Sequence, residues 1–391
     1  MRNLNPVRIG FFHMVCPSYN IPMFKKIQNI PHIDFTLLVG DKPPPLAPKS
    51  GDYSKINHIQ IKNYILSVFG ITFVWQNFFN KFKPSKYDAV ILSEGVFFIS
   101  NYIIILICKI YKIKYGFYTH GFNHQRQSTK ISSALESVRG FFQRNADFII
   151  VYTNKGFDHV NKNNRVPKEK IFIAKNTLDM EGIWQRDKMY TNKDLFKCRE
   201  SLQIDENDFL LTFVGRLEPE KNPLWVAESI EFLMKKGILC HALFIGDGSE
   251  KINIQNYKNS TSKDISKRIH LLGRLSVEDV DIYLKSSNIS VMPGMTGLAV
   301  VHSFGLGKPY VTIESKKHSP EIEYLQHNQN GLITKANKIK FFEGIESLAN
   351  NPKLLEKLSF GADKFARMEL SSKKQIQAFD DLASNIQDRL I

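Results

Sequence analysis

Two basic side chains, Arg216 and Lys221, stand just past the point where an apolar run ends in glycine: residues 211–225 read LTFVGRLEPEKNPLW. The pattern describes a buried strand ending at Gly215, then a loop leading into a helix. The carboxyl end of a strand beside a helix start is where α/β folds hold phosphates, because the helix dipole and its free N–H groups favour anions there. Arg216 suits bidentate contact with phosphate oxygens and Lys221 acts as a point charge. The same spacing also permits a plainer arrangement, in which both cations pair with Glu218 and Glu220 on an exposed turn.

A second stretch, residues 290–303 (SVMPGMTGLAVVHS), reads as a strand end, a glycine-rich loop and a helix start. Backbone N–H groups of Thr296, Gly297 and Leu298 could reach phosphate oxygens there, with Gly297 permitting close approach. His120 in YTHGF ends another apolar run, and Gly121 lets the chain turn sharply after it. Shorter signals follow later strands: Gly246-Asp247-Gly248, Gly273-Arg274 and Ser319-Pro320-Glu321. Asn123, His124, Gln125 and Arg126 form a polar loop suited to phosphate contact, a composition that solvent exposure also produces. No D-x-D cluster lies at a strand end to hold a divalent ion; Asp279 and Asp281 have that spacing but fall in an expected surface helix, so no metal is expected.

The elements that must position these residues come in two series. Apolar runs at 7–15, 35–39, 89–92, 115–118, 148–152 and 171–174 alternate with amphipathic stretches, as parallel strands with intervening helices do. A second series follows at 210–214, 241–245, 269–272, 289–292 and 310–313. Two α/β domains are therefore expected, 1–185 and 200–370, joined by a linker near 180–200, with the active site in the cleft between them and a helical tail over 371–391.

The net charge is +15, and residues 1–130 hold 16 Lys and Arg against 5 Asp and Glu, so 16 − 5 = +11 belongs to that third. Such a field could attract nucleic acid, an anionic bilayer or a phosphorylated acceptor. No nucleic-acid-binding motif accompanies it, so nucleic acid is not expected as a partner. The four cysteines are far apart and read as core thiols in a reducing cytoplasm. Residues 43–45 (PPP) mark an exposed loop. Residues 96–108 are too short to span a bilayer and read as a buried helix. Residues 62–86 mix aromatic and aliphatic side chains with lysines at both ends, as an interfacial segment or a core segment with basic flanks would.

FVGRLEPEKNP, FIGDGSE, HLLGRLSVEDVDIYLKSSNISVMPG and GLAVVHSFGLGKPYVT, in that order, resemble the C-terminal lobe of the family-four (group 1) glycosyltransferases, with further likeness at YTHGFN and at KNTLD. The resemblance implies an α/β fold of the GT-B type, two Rossmann-like domains facing each other across a cleft, with the tail crossing back onto the first. It implies a hexosyltransferase-type enzyme that moves a sugar from a UDP- or GDP-linked donor to an acceptor hydroxyl, with retention and with no cofactor beyond that co-substrate. Together with the basic N-terminal face it suggests a lipid-linked saccharide acceptor in bacterial surface polysaccharide synthesis, in O-antigen or capsule assembly for example. Peripheral contact with the cytoplasmic face of the inner membrane goes with that.

By the same resemblance Arg216 and Lys221 stabilise the departing diphosphate and His120 touches the transferred sugar. Gly215, Gly246, Gly273, Arg274, Thr296, Gly297, Leu298 and Glu321 surround the donor. This sequence departs from the family where two glutamates separated by seven residues are usual, since Gly294 and His302 occupy those places. His302 could hold the ribose through a neutral ring nitrogen, or be a packed helix histidine. The alternative for the whole chain is an inactive nucleotide-sugar-binding module of the same fold.

Overall fold

A computed structural model describes residues 5–43, 50–69, 71–122 and 130–388. Pro44 and Pro45 of the proline run, and the polar loop Asn123–Arg126, lie outside the described residues. The chain divides into two compact units, Met1–Asp179 with Ser372–Ile391, and Met180–Ser371.

The first unit is built on β1 (Val7–His13), β2 (Ile33–Gly40), β3 (His58–Val68), β4 (Ile71–Asn77), β5 (Ala89–Ser93), β6 (Lys114–Thr119), β7 (Phe148–Val151) and β8 (Ile171–Ile173). They form one sheet in the order β4-β3-β2-β1-β5-β6-β7-β8. All neighbours are parallel except β3 and β4, which form an antiparallel hairpin at the edge. The central strands are apolar almost throughout because both faces are covered: Ile9, Phe11 and Leu37 pack in one layer, Phe12, Leu38 and Val90 in the other. The tail helix Ser372–Asp388 closes the first layer with Phe379, Leu382 and Ile386.

The second unit has a six-stranded sheet made of β9 (Phe209–Val214), β10 (Cys240–Ile245), β11 (Ile269–Gly273), β12 (Ile289–Met292), β13 (Tyr310–Ile313) and β14 (Gly331–Thr334), ordered β11-β10-β9-β12-β13-β14. Every pair is parallel. Strand order reverses at β9, so a crevice opens at the carboxyl ends of β9 and β12, the place where open α/β sheets take ligands.

Three expectations are corrected. Residues 180–200 are no linker: Met180–Met189 and Asn192–Glu200 are helices packed into the second unit, burying Met180, Ile183 and Arg199. Their sequence reads as polar because the charged groups are partnered inside; Arg199 donates to the Ser286 and Asp205 carbonyls at 2.9 and 2.8 Å. Second, the apolar stretch near 96–108 is the helix Ile99–Ile110, buried on one side only, with Ile99, Ile103, Leu106 and Ile110 on its exposed stripe. Third, Asp281 is not on a surface helix face; it is fully buried in Val277–Ser286 and paired with Arg186 at 2.6 Å. The four cysteines are buried and free.

Candidate functional site

The second unit's crevice is shaped by glycines that let three loops lie together. A Cβ on Gly246 would sit 1.8 Å from the Gly215 carbonyl oxygen, so only glycine allows the loop after β10 to touch the loop after β9. Gly215 N–H donates to the Ile245 carbonyl at 2.9 Å, and Gly246 N–H to the Gly273 carbonyl at 2.8 Å. The ends of β9, β10 and β11 are thereby locked in register.

Arg216 leaves this platform exposed, with no carboxylate paired to it among the described residues. Lys221, in the 3-10 turn Pro219–Lys221 ahead of the helix Pro223–Lys235, is only 9% exposed. Its ammonium donates to the Met295 carbonyl at 3.1 Å and lies 3.5 Å from the Met292 sulfur. No ion pair joins Arg216 or Lys221 to Glu218 or Glu220; Glu218 instead accepts from the Ser249 hydroxyl at 2.9 Å. The plainer reading of a self-paired exposed turn is therefore overturned. Burial first, and then the nearby Arg216 guanidinium, lower the Lys221 pKa. Glu220 and Glu218 oppose this shift through space without pairing to the ammonium. A buried cation hydrogen-bonded to a neutral carbonyl, beside an exposed guanidinium, favours an anion in the crevice.

The loop after β12 presses directly on this turn. Met295 N–H donates to the Glu220 carbonyl at 2.8 Å, and Asn222 donates to the Pro293 carbonyl at 2.7 Å. A Cβ on Gly294 would lie 2.4 Å from the Glu220 carbonyl oxygen and 2.6 Å from Lys221 Cα. Glycine at 294 is thus what permits the two loops to meet, a steric role that leaves no room for a donor-contacting side chain.

Thr296 corrects another expectation. Its N–H does not point into the crevice but donates to His318 Nδ1 at 3.1 Å, and its hydroxyl meets the Tyr310 hydroxyl at 2.5 Å. His318 in turn uses Nε2 to donate to the Ile313 carbonyl at 2.8 Å, which fixes the ring as the neutral tautomer. Burial, with Lys221 nearby, pulls the His318 pKa down. Gly297 and Leu298 precede the helix Ala299–Gly305, whose first turn leaves N–H groups for an anion. The buried Glu321 carboxylate lies beside Gly297.

His302 is buried in that helix, and its Nε2 meets Asp281 at 2.5 Å, so the ring is held from behind and only Nδ1 remains for another group. Arg274 is largely exposed, 3.9 Å from Asp247, on the open loop that follows Gly273. The second unit thus brings together Gly215, Arg216, Lys221, Gly246, Gly273, Gly294 and Gly297.

His120 belongs to the first unit, at the carboxyl end of β6, with its ring edge-on to Tyr152 at 4.4 Å. The turn after it is pinned from below. Gly121 N–H donates to the Thr119 hydroxyl at 2.9 Å; that hydroxyl donates to the buried Glu94 carboxylate, which also accepts from Gln143 at 2.8 Å. Burial raises the Glu94 pKa against the opposing pull of Arg139.

Sequence reasoning missed Glu94, His318 and the Asp281–His302 pair. Asp281 could have been suspected, because an aspartate amid Val280, Ile282 and Leu284 falls on the apolar side of its helix. Glu94 stands two residues past the apolar run 89–92, at the end of a strand. For His318 no local pattern gives a signal.

Residues 196–365 match the family described as Glycosyl transferases group 1. The UDP-Gal:alpha-D-GlcNAc-diphosphoundecaprenol alpha-1,3-galactosyltransferase of Escherichia coli is 31% identical over 147 residues, which span 36% of this chain and 36% of that enzyme. The match therefore reaches only about a third of the relative's length. Among solved structures, a glycosyltransferase from Rickettsia africae superposes with a TM-score of 0.72 at 16% identity, covering 98% of this chain and 99% of the other. Anabaena Alr3699/HepE in complex with UDP gives 0.68 at 13% identity, covering 97% and 100%. At such identities these likenesses establish the fold.

Proposed function

We propose that the protein transfers a sugar from a nucleotide diphosphate sugar to an acceptor hydroxyl, a reading supported by the match of residues 196–365 to the glycosyl transferases group 1 and by the GT-B fold. The observation that carries this reading is the Lys221 ammonium, buried without a carboxylate partner beside the unpaired Arg216. The donor's anomeric carbon–oxygen bond breaks with its electrons leaving on the diphosphate. Arg216, Lys221 and the N–H groups at Gly297 and Leu298 stabilise that developing charge. The acceptor oxygen bonds to the anomeric carbon on the same face, and its proton passes to the departing phosphate. Configuration is retained, and the positive charge comes from side chains, so transfer proceeds without a metal.

The donor is UDP-linked in this reading, supported by the UDP-galactose of the Escherichia coli relative and the UDP bound to the Anabaena protein. His302 Nδ1 accepts from a ribose hydroxyl, Glu321 lies beside the donor, and Arg274 flanks the base. The acceptor is a lipid-linked saccharide in surface polysaccharide synthesis, which the diphosphoundecaprenol substrate of that relative supports. The protein then works at the cytoplasmic face of a membrane by peripheral contact; no described helix is long and apolar enough to cross one.

The test is transfer from UDP-sugars to a GlcNAc-diphospholipid in the presence of a chelator, with the product anomer read by proton NMR. A product with the donor's configuration is expected. Inverted product would overturn retention, and loss of transfer on chelation would overturn metal independence. Donor binding without turnover would favour a nucleotide-sugar-binding module.

A further inference from the structure

The β3–β4 hairpin is amphipathic in the wrong sense for a water-facing edge. Its register pairs Tyr64 with Trp75, Leu66 with Phe73 and Val68 with Ile71, so these six side chains share one face. The other face carries Asn63, Ile65, Ser67, Thr72, Val74 and Gln76; Asn63, Val74 and Gln76 are buried, with Gln76 donating to the Asn63 side chain at 3.2 Å. Antiparallel edge strands usually turn apolar residues inward and polar ones to water. Here Leu66 is 62% exposed, and Phe69 at the tip is completely exposed.

Apolar exposure continues past the hairpin. Phe73 contacts Phe97 with ring centres 5.3 Å apart, and Phe97 leads into the helix Ile99–Ile110 with its exposed stripe Ile99, Ile103, Leu106 and Ile110. A contiguous apolar surface of this kind on a folded protein marks an interaction site.

The charge around it selects the partner. Lys62, Lys81, Lys83, Lys86, Lys109 and Lys112 flank these segments and are exposed. Between Asp52 and Glu136 the sequence has only two acidic residues, Asp88 and Glu94. Asp88 is neutralised by Arg8 at 2.6 Å, and Glu94 is buried. Asp41, which accepts from the Asn63 N–H at 2.8 Å, is an exposed carboxylate at the base of the hairpin, away from its tip. Exposed aromatic and aliphatic side chains flanked by this excess of lysines complement a surface whose interior is hydrocarbon and whose headgroups are anionic.

We propose that the β3–β4 hairpin is a membrane-docking element, with the tip at Leu66, Val68 and Phe69 entering the acyl boundary of an anionic bilayer and the flanking lysines on its phosphates. Trp75 then lies at the headgroup level, where tryptophan side chains favour the interface. This deepens the peripheral location given above and rests on that reading for its purpose only. The docking itself needs neither donor nor acceptor.

The experiment is flotation of the full chain with vesicles of phosphatidylglycerol and phosphatidylcholine, against phosphatidylcholine alone, with quenching of tryptophan fluorescence by brominated lipid. Binding to the anionic vesicles, weakened by salt, is expected, with quenching that Trp75→Phe removes; the other tryptophans, Trp184 and Trp225, lie in the second unit. Combining Leu66→Ser with Phe69→Ser should weaken partitioning on the order of tenfold or more. If that variant does not fold, Lys81→Gln with Lys83→Gln, at exposed positions, should lower binding to anionic vesicles only. Absence of wild-type binding, or binding unchanged in these variants, overturns the proposal. So does a wild-type dimer in vesicle-free buffer that the hairpin variant abolishes, since the face would then belong to a second copy of the chain. Donor binding, read separately, survives any of these outcomes.

Discussion

The two units share a parallel sheet whose strand order reverses near its centre, yet their carboxyl strand ends carry opposite electrostatics. In the second unit, the loops at the reversal bury a cation, Lys221, and leave it without a directly paired carboxylate. In the first, the end of β5 buries a carboxyl group, Glu94, and surrounds it with Thr119, Gln143 and Arg139. A buried charge without a paired counter-charge costs folding energy unless a ligand supplies the partner, whereas a hydrogen-bonded carboxyl group holds a turn in place. One architecture thus offers a binding demand in one unit and a structural brace in the other.

The sharpest way to break this contrast is to replace the two buried groups. Lys221→Met should lower kcat by about 10²–10³, the usual cost of losing a transition-state charge donor. Thermal stability should hold or rise, because an unpaired buried charge has gone. A Lys221→Met protein that is active but less stable would make Lys221 a structural residue. Glu94→Gln tests the other side: its melting temperature and the position of the His120 turn should change more than donor affinity does.

Next in size is the Asp281 cluster behind the helix that carries His302. Asp281→Leu leaves Arg186 and His302 without their shared carboxylate, and urea unfolding should show a loss of about 3 kcal/mol, at the lower end for broken buried pairs because Arg186 keeps some contact with water. Unchanged stability would remove this cluster from the second unit's frame.

Restoring the usual family carboxylate by Gly294→Glu should weaken donor binding rather than improve it. The new Cβ must displace the Glu220 carbonyl or the Lys221 backbone, at a cost of about 1–3 kcal/mol. Tighter donor binding in that variant would show the loop to be more yielding than its contacts imply.

The smallest effects are in pH dependence, with opposite signs in the two units. The His318 pKa is lowered on folding, so the unfolded chain takes up a proton first as pH falls below 6.5, and stability declines from there down to the folded value. His318→Gln, able to donate to Ile313 and accept from Thr296, should flatten that slope. The Glu94 pKa is raised, so stability is instead lost as pH rises from 4.5 to the folded value, and Glu94→Gln should remove that decline. Denaturant titrations between pH 4 and 8 on each variant decide both.

Much of this was legible in the sequence because it depends on local pattern. Continuous apolar runs such as 210–214 give parallel strands covered on both faces, and the Gly215–Arg216 step marks where the chain leaves the sheet. The hairpin was missed as a strand pair because residues 62–77 read as one mostly apolar stretch, and which face of a strand is covered depends on neighbours distant in sequence. The helices at 180–200 were read as linker because their charges are satisfied by residues distant in sequence, as Arg186 is by Asp281. The steric role of Gly294 and the hold of His318 on Thr296 depend on loops 74 and 22 residues apart in sequence meeting in space, which composition does not reveal.

The most direct test is a thermal-shift panel of UDP-, GDP-, ADP- and dTDP-sugars, without added metal, on the wild type and on Arg216→Ala. Arg216 is exposed, so its removal should leave the unliganded melting temperature near that of the wild type. A UDP-sugar should raise the wild-type melting temperature by mass action, and the rise should vanish in Arg216→Ala. No shift with any nucleotide sugar, or an equal shift in both proteins, would contradict a donor site built on Arg216 and Lys221.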